Sequence, residues 1–229
     1  MKIAVVFSGC GYLDGAEINE VVATLWALSF HQESGAQVQC FAPDADQHHV
    51  VNHLTGEEKP GERRNILEES ARIARGKVKP LSMLREGEFD ALIMPGGFGA
   101  AKNLCTFAFE GSKGSVNPEL LHLLKQFRQA EKPIGAACIA PAILALTFND
   151  RSLELTVGES SDASREIEKL GHAHKSMSVQ DAHIDQENLI VTTPAFMYDD
   201  APLHAIFTGV KKMVDLVVAL VEERSEAAA

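Results

Sequence analysis

Short apolar runs rich in β-branched residues alternate with amphipathic stretches along the chain, and this alternation limits the possible folds more than any other feature. Residues 2–8 are apolar on both faces, a helical apolar stripe begins at Ala16, and residues 37–42 return to a strand pattern. Runs that are apolar on both faces are typical of parallel strands covered by helices. We therefore predict an α/β fold with a doubly wound, mostly parallel sheet and helices on both of its faces.

The rest of the chain continues this alternation. The predicted strands are residues 90–94, 132–137, 153–157, 178–184 and 189–193, and the predicted helices are residues 63–75, 118–130, 139–146, 163–170 and 199–223. Residues 43–62 and 106–116 lack a periodic pattern and are predicted to be loops. No internal repeat and no linker divides the sequence, so we expect one domain over residues 1–229, with three terminal alanines that fray.

Charge and composition argue against several classes of partner. The 229 residues carry a formal net charge of −11, so phosphate backbones repel the chain and we expect no nucleic-acid partner. No apolar run approaches the roughly 20 residues that cross a bilayer, so we expect no membrane partner. The apolar start is too short for a signal peptide and the four cysteines form no CxxC pair, so we expect reduced thiols in a cytoplasmic protein.

The segment around Cys138 carries the sharpest signal for function. A buried strand pattern runs directly into a helix pattern, and Cys138 lies at the turn without a Gly or Asn to relax it. This predicts a strained backbone that presents a nucleophile at the carboxyl edge of the sheet, where ligands bind. The amino end of the following helix is expected to favour the thiolate and to lower its pKa. The alternative is a small buried apolar residue.

Two neighbouring segments reach the same edge of the predicted sheet. Gly96 and Gly97 follow a strand, and their backbone N–H groups, with that of Ile139, are candidates for an oxyanion hole. Glu17 opens the first helix and is a candidate to hydrogen-bond the Cys138 sulfur and to move a proton. The alternatives are an ordinary tight turn and a carboxylate that only stabilises the amino end of its helix.

Two further sets of residues are weaker candidates. Cys10 follows the first strand and is a candidate for two roles, a residue of the same pocket or a resolving thiol for Cys138. The alternative is a loop cysteine without a function, placed there because its small side chain fits. Several histidines lie close together in the sequence: His48, His49, His53, His172 and His174. No set of carboxylates or cysteines completes a ligand group around them, so we expect no metal site.

Taken together, these segments resemble the ElbB subfamily of the ThiJ/PfpI branch of the class I glutamine amidotransferase-like superfamily. The stretches that match are residues 8–11, 14–17, 40–43, 52–56, 95–104, 138–142 and 190–195, in the same order over almost the whole chain. Pro-Gly-Gly together with a cysteine at a strand-to-helix turn, called the nucleophile elbow, is specific for the superfamily. The sequences GGFGAAKNL and CIAPA are specific for the subfamily.

The resemblance implies a flavodoxin-like fold and a homodimer. It also implies that Cys138 is the nucleophile, that Glu17 is its carboxyl partner, and that the protein is a cofactor-independent glyoxalase, a lyase linked to isoprenoid biosynthesis. The implied substrates are small 2-oxoaldehydes, glyoxal in particular, which become glycolate-type 2-hydroxy acids. Protein deglycase activity is a related possibility within the same superfamily.

One departure from the family pattern leaves other functions open. Many members have His directly after the nucleophilic Cys, where this chain has Ile139, and others have His in the loop that here is residues 155–159. Since a Cys–His–acid triad is not evident, full amidotransferase or protease chemistry is not expected. The remaining alternatives are a redox or stress sensor whose Cys138 is oxidised, and an amidotransferase-like subunit that serves a partner.

Overall fold

A seven-stranded sheet forms the centre of the computed structural model, which describes residues 1–227. The strands are β1 (Lys2–Val6), β2 (Gln37–Ala42), β3 (Val78–Pro80), β4 (Ala91–Met94), β5 (Ile134–Ala137), β6 (Glu154–Leu155), β7 (Ala173–His174), β8 (His183–Asp185) and β9 (Ile190–Thr193). The helices are α1 (Ile18–Glu33), α2 (Ile66–Ile73), α3 (Phe98–Lys102), α4 (Phe107–Glu110), α5 (Pro118–Gln129), α6 (Pro141–Thr147), α7 (Asp162–Lys169) and α8 (Leu203–Ala227). The expected fraying concerns mainly Ala228 and Ala229, which lie outside the described residues.

The strand order confirms the predicted doubly wound, flavodoxin-like α/β architecture. The order is β3-β2-β1-β4-β5-β9-β8, and each neighbouring pair is parallel except β8 and β9. Strands β6 and β7 form a separate parallel pair. The chain first steps outward from β1 to β3 and then returns to β4 on the other side of β1. The switch point therefore lies between β1 and β4, and ligands bind at such points in open α/β sheets.

Alternate residues of β1 point to opposite faces of the sheet and belong to two separate cores. Ala4 and Val6 pack with the apolar sides of α3, α5 and α6. Ile3 and Val5 pack with those of α1 and α8. Because both faces are covered, the strands are apolar on both sides, which is the pattern that the sequence shows.

Helix α8 is the longest element and packs on the sheet beside α1. Its apolar stripe, which includes Val210, Met213, Val214 and Val217, is buried. A Cβ atom at Gly135 of β5 would lie 3.0 Å from a methyl group of Val217, so the helix approaches the strand closely. Neither α8 nor another helix within residues 1–227 is both long and apolar enough to cross a membrane.

Several element boundaries differ from the sequence-based prediction. Helix α6 begins at Pro141 rather than Ile139, because the chain first turns at Cys138 and the Ala140 N–H donates to the Ala137 carbonyl at 2.9 Å. Residues 106–116, expected to be a loop, contain α4 and a short 3₁₀ turn. The predicted strand at 178–184 is reduced to β8, and the sequence pattern does not predict β3 or β7, because runs this short show no clear periodicity.

Candidate active site

The carboxyl ends of neighbouring strands bring the candidate residues to one edge of the sheet. Cys138 directly follows β5, Gly96 and Gly97 follow β4, and Glu17 lies in the connection from β1 to α1. Phe196 lies in a 3₁₀ turn that follows β9. This edge includes the switch point between β1 and β4, so the fold alone favours a binding site here.

The backbone at Cys138 is strained, as predicted from the sequence. Its φ of +57° is a left-handed conformation that costs a non-glycine residue about 1–3 kcal/mol. The Cys138 N–H donates to the carbonyl of Thr193 at 2.9 Å and so anchors the turn to β9. A Cβ atom at Gly96 would lie 2.3 Å from the Cβ of Cys138, so only glycine fits opposite the elbow.

The carboxyl group beside the Cys138 sulfur belongs to Glu20, not to Glu17. Glu20 is fully buried and accepts hydrogen bonds from the N–H groups of Gly96 at 2.8 Å and Phe196 at 3.1 Å. Its Oε2 and the Cβ of Cys138 both lie within 2.8 Å of the position that a Cβ atom would take at Gly96. The Glu17 side chain instead accepts from the Glu20 N–H at 2.7 Å as the N-cap of α1. This corrects our expectation: an N-cap side chain bonds its own helix, whereas Glu20, one turn later, faces the sheet.

A sequence signal for Glu20 exists in the pattern of α1. Glu20 shares the buried side of this helix with Thr24, Ala27 and Leu28. Acidic residues are rarely buried unless partners surround them, so a glutamate within an apolar stripe indicates a special environment. The signal is weak in this helix, because α1 also carries apolar residues such as Val22 and Trp26 on its exposed side.

Glu17 remains part of the site because it lines the cavity that opens onto Cys138. Its half-buried carboxylate also accepts a hydrogen bond from the Asn19 side chain at 3.0 Å. Burial raises the pKa of Glu17, and the hydrogen bonds from Glu20 and Asn19 partly oppose that rise. The participation of Glu17 in proton transfer stays a prediction.

Burial controls the ionisation of the two central groups. It raises the pKa of Glu20 to about 7, and the nearby charge of Glu17 acts in the same direction. Burial also raises the pKa of the Cys138 thiol well above its ordinary value, and the charge of Glu20 adds to this rise. The N–H groups of Gly97 and Ile139, which are hydrogen-bonded to the sulfur, lower it. The expected lowering by the helix end is therefore outweighed, because the sulfur is buried beside a carboxyl group.

Glu20 and Cys138 are two acids in contact, so they titrate as a pair. Two backbone N–H groups stabilise a carboxylate at Glu20, and two others stabilise a thiolate at Cys138. Near neutral pH the pair can hold one proton between oxygen and sulfur. This arrangement can take a proton from the sulfur and return it.

Two of the three predicted oxyanion donors are free to act. Hydrogen bonds from the N–H groups of Gly97 and Ile139 lower the pKa of the Cys138 thiol, so these groups are the candidates to bind an oxygen on a carbon attached to the sulfur. The Gly96 N–H is bonded to Glu20 and does not serve this purpose. The importance of Gly96 lies in its missing side chain.

Cys10 lies apart from this site and does not line its cavity. Its half-buried thiol is close to the charges of Glu69, Arg72 and Arg64, and burial, followed by the Glu69 charge, raises its pKa. The expectation that Cys10 contributes to the Cys138 pocket is thus corrected, because the loop after β1 directs this thiol toward the α2 side. The four cysteines all lie within residues 1–227 and are unpaired.

A cavity of about 1150 Å³ opens onto Cys138. The largest apolar side chains of its wall are those of Tyr12, Phe98, Phe107, Phe109, Phe196 and Met197. Its carboxylates are Glu17, Glu110, Asp162, Glu166 and Asp199. One side of the cavity is formed by part of residues 106–116, so the segment expected to be a loop helps to enclose the site.

The histidines do not supply a catalytic base to this cavity: within residues 1–227, none lines it. His172 is buried, with one ring nitrogen accepting from the Leu153 N–H at 3.1 Å and the other donating to the Ala145 carbonyl at 2.9 Å. Both nitrogens are therefore used in the core. Among the described residues there is no group of three or more His, Cys, Asp and Glu that could hold a metal ion.

Comparison with known proteins finds relatives over nearly the full length. No family model matches the chain. The human glutamine amidotransferase-like class 1 domain-containing protein 3, mitochondrial, is 48% identical over 96% of this chain and 83% of that protein. The mitochondrial ES1 protein homolog of Rattus norvegicus is 46% identical over 96% of this chain and 84% of that protein.

Solved structures give the same picture. The crystal structure of an isoprenoid biosynthesis protein with an amidotransferase-like domain from Ehrlichia chaffeensis is 37% identical, with a TM-score of 0.87, covering 96% of this chain and 98% of that one. Drosophila melanogaster DJ-1beta is 16% identical, with a TM-score of 0.51, over 96% and 97% of the two chains. The second likeness shows the fold alone.

The expectation of a cytoplasmic protein is wrong. The human, rat and Danio rerio relatives, at 36–48% identity over 96% of this chain, are all described as mitochondrial. Our expectation rested on unpaired cysteines and on the start of the chain. Unpaired thiols argue only against an oxidising compartment, and they do not distinguish one reducing compartment from another.

Proposed function

Because this chain belongs to the ES1-like, ElbB-type branch of the DJ-1/ThiJ/PfpI, class I glutamine amidotransferase-like superfamily, we propose that it is a cofactor-independent glyoxalase-like enzyme. The superfamily includes glyoxalase and deglycase enzymes. The proposed reaction converts glyoxal, and similar small 2-oxoaldehydes, to glycolate-type 2-hydroxy acids. The observation that carries the proposal is the Cys138 sulfur at a cavity, with a buried carboxyl group and two backbone N–H donors bonded to it.

The first step is addition of sulfur to an aldehyde carbon. Glu20 takes the thiol proton while the Cys138 sulfur forms a bond to the carbon, and the N–H groups of Gly97 and Ile139 hold the developing oxyanion. The proton then passes to this oxygen, which gives a neutral hemithioacetal and restores the Glu20 carboxylate. A carboxyl pKa of about 7 suits both directions of this transfer near neutral pH.

The second step moves a proton between the two carbons of the substrate. Glu17 removes the proton from the sulfur-bearing carbon, which leaves an enediolate. The hydroxyl proton of this carbon passes to the neighbouring oxygen, and Glu17 returns its proton to the neighbouring carbon. The product is a thioester of the 2-hydroxy acid, and water releases the acid and regenerates the thiol. One carbon is oxidised and its neighbour is reduced, so the reaction needs no external oxidant.

A direct test follows glycolate formation from glyoxal by proton NMR. We expect turnover by the wild-type protein, none above background by Cys138→Ala, and wild-type turnover by Cys10→Ser, whose thiol lies outside the cavity. Equal rates for wild type and Cys138→Ala, or no glycolate from the wild type, would refute the proposal.

A second candidate function is redox sensing by Cys138. It is supported by the N–H groups of Gly97 and Ile139, which would also bond the oxygens of an oxidised sulfur. A peroxide supplies the oxidant: each equivalent transfers one oxygen to the sulfur and leaves as water, so two equivalents give the sulfinate. Intact mass after mild peroxide treatment tests this: a gain of two oxygens at Cys138 in a protein without glyoxal turnover would favour the sensor.

A further inference from the structure

The cavity at Cys138 is much larger than glyoxal requires. Its volume is about 1150 Å³, and pockets of about 300–1,000 Å³ hold drug-sized ligands. Glyoxal has only two carbons and two oxygens and would leave most of this space to water. The size therefore favours a substrate whose aldehyde is attached to a larger body.

The wall of the cavity indicates the chemistry of that body. It presents five large apolar or aromatic side chains besides Met197, from segments that follow β1, β4 and β9 and from α4. Phe98 and Phe109 are each almost half exposed, and Phe109 packs against His48 with ring centroids 4.2 Å apart and ring planes inclined by 35°. Exposed aromatic faces around a nucleophile favour an apolar, flat substituent over a polar one.

The charged side chains that line the cavity are all acidic, and three cations lie close behind them: Arg165, Lys169 and Lys102, whose Nζ is 4.9 Å from the centre of the Phe98 ring. The lining of the cavity contains the five carboxylates named above and, among residues 1–227, neither lysine nor arginine. Arg165 and Lys169 pair with Asp162 and Glu166 but do not line the cavity themselves. A cleft that presents one sign of charge repels ligands of the same sign and lowers their local concentration.

Two of these carboxylates are held in place by the backbone. Glu17 accepts from the Glu20 N–H at 2.7 Å, and Glu166 accepts from the Ser112 N–H at 2.8 Å. A Cβ atom at Gly111 would lie 2.5 Å from the Glu166 carboxylate, so the segment that bears Phe109 is fitted closely against α7. The positions of these two carboxylates are therefore fixed in the wall, and Lys169 partly balances the charge of Glu166.

We propose that the site selects uncharged 2-oxoaldehydes that carry an apolar or aromatic substituent and excludes carboxylated or phosphorylated ones. This inference rests on the proposed function for its chemistry, but its electrostatic part concerns access to Cys138 alone. The aromatic wall binds the substituent, and the carboxylates discriminate against negative charge before the sulfur is reached.

Access is tested by alkylating Cys138 with iodoacetamide and iodoacetate, which differ in charge but hardly in size. Site-resolved mass spectrometry gives the two rates, and free N-acetylcysteine gives the reference ratio. We expect Cys138 to prefer iodoacetamide about ten-fold more strongly than the free thiol does, and added salt to reduce this preference. A ratio equal to that of the free thiol would overturn the inference and leave the glyoxalase proposal intact.

Charge variants locate the source of the preference. The triple variant Glu110→Gln, Asp162→Asn, Asp199→Asn should lose most of the preference of Cys138 for iodoacetamide over iodoacetate. A control with three exposed acids that do not line the cavity, Glu187→Gln, Glu222→Gln, Glu223→Gln, has the same net charge and should keep it. Equal preference in the two variants would contradict a local effect of the cavity.

Turnover tests the substrate class with a matched pair. Phenylglyoxal and 4-carboxyphenylglyoxal share the aromatic body and differ by one negative charge. We expect kcat/KM for phenylglyoxal to exceed that for its carboxylated analogue by about ten-fold or more, and to exceed that for glyoxal. Equal values for all three would overturn the inference, whereas no turnover of any of them would refute the glyoxalase proposal instead.

Discussion

The buried carboxyl group of Glu20 on α1 lies beside Cys138, which directly follows β5: a Cβ atom at Gly96 would lie 2.8 Å from Glu20 Oε2 and 2.3 Å from the Cβ of Cys138. The same carboxyl group accepts hydrogen bonds from the N–H groups of Gly96 and Phe196, so one buried side chain links the segments after β4, β5 and β9. The protonation of Glu20 therefore affects both the reactivity of the sulfur and the stability of this edge of the sheet.

Substitution Glu20→Gln should change how stability depends on pH. Folding raises the pKa of Glu20 from 4.5 to about 7, so the folded protein holds this proton more tightly than the unfolded chain. The resulting stabilisation is complete below about pH 4.5 and is lost as the pH rises through about 7, by at most about 3 kcal/mol.

Urea unfolding at about pH 5 and about pH 8 measures this effect in both proteins. The wild type should lose more stability than Glu20→Gln between the two pH values. The glutamine also leaves one backbone N–H without its acceptor, but that cost is the same at both values. A free-energy difference between the proteins that does not change with pH would contradict the assignment.

Substitution Gly96→Ala should destabilise the protein and distort the elbow. The added methyl group would meet the Cβ of Cys138 at 2.3 Å and the Ala137 carbonyl at 2.8 Å, so the backbone has to shift. We expect a loss of about 1–3 kcal/mol in the free energy of unfolding, together with slower alkylation of Cys138. Gly87→Ala is the matched control, since a Cβ there meets nothing within 4 Å, and it should leave both measurements near wild type.

The main sheet was predictable from the sequence, whereas the short strands β3 and β7 were not. Runs such as Lys2–Val6 and Ile134–Ala137 are buried on both faces, and this leaves a continuous apolar pattern. Val78–Pro80 and Ala173–His174 are held by pairing with strands that are distant in sequence. Such pairing leaves too few residues to produce a periodic pattern, and the helical character of residues 107–110 likewise depends on tertiary contacts.

The position of the site in the fold was predictable from the sequence, but the side-chain contacts within it were not. A strand that ends in Cys138 and another that ends near Gly96 identify the correct edge, because parallel strands share their carboxyl ends. The choice between Glu17 and Glu20 depends on which side of α1 faces the sheet, and N-cap preference conceals that choice. The carboxylates of the cavity come from α4, α7 and the segment after β9, and their convergence is set by tertiary packing.

Substitution Glu17→Gln should separate proton transfer from folding. The glutamine oxygen can still accept from the Glu20 N–H and cap α1, but an amide cannot remove a proton from carbon. We expect glyoxal turnover to fall by about 10²-fold or more, whereas Cys138 should still react with iodoacetamide, with a lower pH midpoint because the charge of Glu17 no longer raises the pKa of Glu20. The exposed Glu33→Gln at the other end of α1 is the control. Unchanged turnover in Glu17→Gln would remove this residue from the mechanism.

The most direct test of the account is the pH dependence of Cys138 alkylation by iodoacetamide in the wild type and in Glu20→Gln, resolved by site with mass spectrometry. We predict that the wild-type rate rises through a midpoint near pH 7, because the carboxyl–thiol pair there loses the first of its two protons and Glu20 becomes able to take the remaining proton from the sulfur. Glu20→Gln should lack this midpoint. The same midpoint in both proteins would show that Glu20 does not control the sulfur and would contradict the account.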